Sequence, residues 1–111
     1  MTTITGTLDG VDYGDNVTHG LTAGDYSYSL TNLGPGRLAF KVEVQDVPDL
    51  GDDAPSKWRT IEEKSKLPDG EVLEGKFTVA PGTLTYRSVR FNFNREFLSK
   101  KTAYKLVYQP S

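Results

Sequence analysis

Few residues in this chain could carry out chemistry. His19 is the single histidine and there is no cysteine, so a thiolate nucleophile, a disulfide and a cysteine-based zinc site are excluded. One histidine supplies neither a triad nor a histidine-rich metal set. Within Asn16-Val17-Thr18-His19-Gly20, a polar stretch near turn residues, it reads as an exposed loop side chain. Glu62, Glu63, Glu71 and Glu74 raise the question of paired carboxylates for glycoside hydrolysis, which needs two carboxyls at a set separation with one pKa raised by burial. They lie among lysines in a polar stretch that reads as an exposed hairpin, so no enzyme is expected.

The loop from Gln45 to Ser56 concentrates carboxylates at Asp46, Asp49, Asp52 and Asp53. Calcium favours several oxygen ligands, but the spacing is not that of an EF-hand and Pro48 and Pro55 limit how the loop folds back. A solvated acidic loop, long enough to reach a partner, is the better account, and neither a metal nor another cofactor is expected. Trp58, between Lys57 and Arg59, has two readings. Exposed, it would stack on the apolar face of a sugar ring. The preferred reading packs it in the core or over one end of the domain, because a small domain rarely leaves its only tryptophan in water.

Basic residues gather late in the chain. Residues 1–36 hold four Asp and no Lys or Arg, whereas from residue 75 onward there are seven basic side chains and only Glu96. Arg87, Arg90, Arg95, Lys100, Lys101 and Lys105 are therefore candidate partner-binding residues, together with Asp46, Asp49, Asp52 and Asp53. Arg90 alternates with Val89 and Phe91 and should face solvent or a partner. Interleaved basic and aromatic residues can bind single strands of nucleic acid. Here the aromatics share the core phase and the net charge is −2, so an acidic protein surface is the better match than nucleic acid.

Behind these residues stands a period of two. Leu38, Phe40, Val42 and Val44 alternate with Arg37, Lys41 and Glu43, the clearest half-buried strand. Ile4 and Leu8, Tyr26, Tyr28 and Leu30, Leu73, Phe77 and Val79, Val89, Phe91 and Phe93, and Tyr104, Leu106 and Tyr108 repeat the pattern. Gly75 falls in phase with Leu73 and Phe77, as a bulge or a close contact would require. Trp58 and Ile61 are one residue out of phase, so a bulge falls between them or one leaves the core. Leu33-Gly34-Pro35-Gly36 should close a hairpin, and Pro68-Asp69-Gly70 and Ala80-Pro81-Gly82 are tight turns. Arg95 to Lys101 could form one helical turn after Asn94.

These signals predict one all-β domain over residues 1–111, an antiparallel, jelly-roll-like β-sandwich of seven to eight short strands. No run approaches the ~20 apolar residues of a membrane helix, and the start, Met-Thr-Thr-Ile-Thr-Gly, does not read as a signal peptide. No membrane association and no small-molecule substrate are expected.

The stretches Leu38–Val44, Trp58, Phe77–Pro81 and Tyr86–Phe93, in that order, resemble the small β-rich decoration (staple) proteins of tailed-phage capsids, such as that of short-tailed phages like Salmonella phage epsilon15. The resemblance spans roughly residues 25–108. It implies a virion protein made in the host cytoplasm and bound outside the capsid lattice, where paired copies clamp neighbouring subunits of the major capsid (coat) protein. Carried over to this chain, it makes a homodimer the expected state and transfers no catalytic residue. The runs Thr2–Leu8 and Thr102–Tyr108 are candidates for pairing with a neighbour, or else they complete the domain's own sheets. A carbohydrate-binding β-sandwich module is the alternative.

Overall fold

A computed structural model describes residues 1–9, 14–46, 57–82, 85–95 and 101–111. Alternating apolar residues give eight strands: β1 (Thr2–Leu8), β2 (Gly14–Thr22), β3 (Gly24–Pro35), β4 (Leu38–Asp46), β5 (Lys57–Leu67), β6 (Val72–Val79), β7 (Tyr86–Arg95) and β8 (Thr102–Pro110). They pair antiparallel into two four-stranded sheets, sheet A in the order β1-β8-β3-β6 and sheet B in the order β2-β7-β4-β5. Consecutive strands mostly alternate between sheets, and this order is that of an eight-stranded jelly roll. The fold class read from the sequence is the one observed.

The core lies between the sheets. Sheet B contributes Phe40, Val42, Val44, Val89, Phe91 and Phe93, each at most 2% exposed. Sheet A contributes Leu30, Leu106, Phe77 and four tyrosines, Tyr26, Tyr28, Tyr104 and Tyr108. Each tyrosine packs its ring in the core and sends its hydroxyl to an edge strand of sheet B. Tyr26 donates to the carbonyl of Thr22 (2.7 Å), Tyr104 donates to Asp15 Oδ2 (3.0 Å), Tyr28 bonds Glu62, and Tyr108 bonds His19 Nδ1. A phenol can be buried only if its O–H finds a partner, and the sandwich's perimeter supplies one in every case. Burial, reinforced by the adjacent carboxylates of Glu62 and Asp15, pushes the Tyr28 and Tyr104 phenols well above their ordinary range. Burial pushes Tyr108 up as well.

Gly75 is the close contact its phase required. A Cβ there would meet the Tyr28 hydroxyl and ring at 2.6–2.9 Å. Both alternatives read from the Trp58–Ile61 phase slip occur: Trp58 leaves the core, and a bulge interrupts the strand. Val42 faces Glu62 and Glu43 faces Thr60, which leaves Ile61 as the extra residue.

Three readings change. Leu33-Gly34-Pro35-Gly36 does not close a hairpin, because β3 lies in sheet A and β4 in sheet B. The segment is an arch between sheets, held by buried Asn32, whose amide donates to the carbonyls of Gly36 (2.8 Å) and Leu67 (2.9 Å) while its Oδ1 accepts from Gly34 N (2.8 Å). The stretch with Glu62 to Glu74 is likewise no hairpin: Pro68-Asp69-Gly70 carries the chain from β5 in sheet B to β6 in sheet A. Gly70 adopts the positive φ (78°) that the turn demands. His19, read as an exposed loop residue, sits half-buried on β2 against the Tyr108 and Phe91 rings. Of the proposed helical turn, Arg95 ends β7 and residues 96–100 lie outside the described residues.

Candidate functional site

Pleating sends every second residue of β7, β4 and β5 to the outer face of sheet B, where no further layer among the described residues covers them. In register there are Arg90 and Asn92 on β7, Glu43 and Lys41 on β4, and Thr60 and Trp58 on β5. They form a built cluster. Glu43 is 7% exposed despite its solvent-side position. Its Oε1 accepts from Arg90 Nε (3.1 Å), Arg90 Nη2 (2.9 Å) and Asn92 Nδ2 (2.7 Å), and Lys41 Nζ stands 3.8 Å from Oε2. Desolvating a carboxylate is costly, and this one is held by donors from the neighbouring strand. The same anchoring stretches the Arg90 side chain over Glu43 toward β5, where its guanidinium carbon lies 4.1 Å from the centroid of the Trp58 ring. Such a cation–π stack contributes about 0.5–2 kcal/mol.

Trp58 is therefore neither a core residue nor a cap over one end. It is half-buried on the outer face, with Arg90 packed on its ring. Tyr86 occupies the same face of β7, four residues before Arg90 and about 13 Å along the strand. It is 62% exposed, and Gly20 on β2 leaves the space beside it open.

The expected basic patch does not assemble in one place. Arg90 stands on the outer face of sheet B and Lys105 on the outer face of sheet A. Arg87 has the inward phase at one end of β7 and ties down chain there, donating to the carbonyls of Ala80 (3.2 Å) and Gln45 (3.2 Å). Arg95 stands at the opposite end of β7, opposite Leu38. Lys101 lies 4.0 Å from Asp9 across an exposed pair. Asp46 ends β4 opposite Lys57, while Asp49, Asp52, Asp53 and Lys100 lie outside the described residues. Of the basic candidates placed here, only Arg90 joins the cluster. Glu43, Asn92 and Tyr86 were not singled out by sequence, since alternation alone marks them as solvent-facing.

Among the described residues no group of three or more His, Asp or Glu is disposed to hold a metal ion. The outer face of sheet A has an open depression over Ser27 and Ser29, walled by Glu74, Lys76, Val107 and Gln109. The outer face of sheet B presents an anchored guanidinium, the half-buried Trp58 and exposed Tyr86 rings, and a carboxylate satisfied by its neighbours. Comparison with protein families, with curated proteins and with solved structures finds no match for this chain.

Proposed function

We propose that this chain is a structural protein of a virion that binds the outside of the capsid lattice and clamps neighbouring coat subunits. Its docking surface is the outer face of sheet B. One observation carries the docking: Trp58, Arg90 and Tyr86 share a face that no other strand among the described residues covers, and Glu43 and Asn92 hold Arg90 in place. Tryptophan, tyrosine and arginine are the residues that most often anchor protein interfaces, and holding them in place before contact lowers the entropy lost on binding. The coat protein as partner comes from the sequence resemblance. A protein repeated over a shell gains strength by multivalency, so each contact can be modest.

The test uses purified capsid shells that lack this protein. The wild-type chain should bind them in a fixed copy number, and Trp58→Ala or Arg90→Ala should each weaken binding about tenfold or more without unfolding the domain. Shells that take up no wild-type protein would remove this reading.

A carbohydrate-binding module is the second reading, favoured by one observation: Trp58 and Tyr86 lie on an open sheet among side chains able to hydrogen-bond a sugar. Binding to a polysaccharide panel that Trp58→Ala and Tyr86→Ala abolish would establish it in place of the first.

A further inference from the structure

Four strands form the edges of this sandwich, β1 and β6 in sheet A and β2 and β5 in sheet B. An exposed edge is a template for another strand, and proteins blunt it with charge, proline, bulges or charged residues turned inward. β5 has lysines, glutamates and two register shifts. β6 has Glu74 and Lys76. β2 turns Asp15 inward, toward the Tyr104 hydroxyl. β1 has none of these devices. Its Thr-Thr-Ile-Thr-Gly-Thr-Leu holds no charge and no proline, and its register with β8 is unbroken.

We propose that β1 is a strand-addition site whose occupant is the β1 of a second copy, antiparallel across a two-fold axis at Thr5. The sequence is self-complementary about that residue. Thr5 meets the second copy's Thr5, Thr3 meets its Thr7 and Ile4 meets its Gly6, so the solvent face of the joint is threonine opposite threonine. Threonine pairs across antiparallel strands are favourable, and no like charges oppose each other. The two sheets A become one sheet of eight strands, and the sheet B faces sit on the two sides of the axis. The clamp reading gives this pairing a use, two docking faces in one particle, but the site and its test stand on the isolated protein alone.

The experiment is sedimentation velocity on the full chain from 10 μM to 1 mM. A seven-residue joint is small, so the wild type should associate reversibly to a dimer within that range. Thr3→Lys with Thr7→Lys in one chain opposes lysines twice across the axis and should weaken association at least tenfold. Thr3→Lys with Thr7→Glu opposes lysine to glutamate twice and should keep association within threefold of wild type or tighten it. Both variants alter exposed positions, and an unchanged melting temperature checks their folding. A wild type that remains monomeric at 1 mM overturns the proposal. So does a dimer that both double variants leave unchanged, because it would form through another surface. Failure to bind shells would leave this result standing.

Discussion

The two sheets differ inside and out, and the differences mirror each other. Sheet A places tyrosines in the core and short hydroxyl residues outside: Thr3, Thr5 and Thr7 on β1 and Ser27, Ser29 and Thr31 on β3. Sheet B places phenylalanine and valine in the core and the Trp58, Arg90, Glu43 and Asn92 cluster outside. In sheet A the polar bonds tie the sandwich together, running from buried phenols to the edges of the other sheet. In sheet B the polar bonds turn outward and organise a surface. A face that serves only as a solvent boundary gains little from fixing a carboxylate under a guanidinium. A face that meets a partner gains preorganisation.

The sharpest way to break this comparison is to remove one carboxylate from each outer face. Glu43→Ala leaves Arg90 and Asn92 without their shared acceptor in a partly desolvated place. It should cost about 2–3 kcal/mol by urea denaturation. Glu74→Ala on sheet A should fall within about 0.5 kcal/mol of wild type. Equal effects would mean that the Glu43 cluster is an ordinary surface ion pair.

A comparable loss should come from the inner side of sheet A. Gly75→Ala drives a methyl into the buried Tyr28 ring, which must shift to admit it. The expected cost is about 1–3 kcal/mol, measured as a shift in the urea midpoint. Combining it with Tyr28→Ala should recover part of the Gly75→Ala loss relative to Tyr28→Ala alone. The Gly75→Ala loss would then be shown to come from the contact with Tyr28.

How much of this was legible in sequence follows from what a single strand can say. Alternation identified the inner faces of β3, β4, β7 and β8, because there burial alone sets the pattern. It missed β2 as a strand, since two of its inward positions are Asp15 and His19. Those residues are polar because Tyr104 and Tyr108 reach them from the opposite sheet, a reason that lies in another strand. The Leu33–Gly36 turn chemistry announced a reversal, yet cannot tell a hairpin from an arch, because that choice belongs to the sheets on either side. Glu43 has the outward phase of β4 and lies on the outer face of sheet B, yet it is buried there. Its burial comes from Arg90 and Asn92 closing over it, which requires the β4–β7 register. The Trp58–Ile61 phase slip, in contrast, was local and readable.

Alkaline pH separates the sheets a third way and has the smallest effect near neutrality. The raised phenols of Tyr28, Tyr104 and Tyr108 all belong to sheet A. Their folded pKa values exceed that of an unfolded tyrosine, about 10. The folded state therefore holds these protons more tightly. Their contribution is complete below pH ~10 and is lost as pH rises from there toward the folded values. Each phenol can add a slope of up to about 1.4 kcal/mol per pH unit in that window. Urea midpoints should thus be insensitive to these groups between pH 7 and 9 and fall steeply above 10. Tyr104→Phe keeps the stack on Phe93 but removes the hydroxyl, so it should flatten the fall while costing about 1 kcal/mol at pH 7 for the lost bond to Asp15. An unchanged alkaline slope in that variant would mean that the phenols do not hold the two sheets together as described.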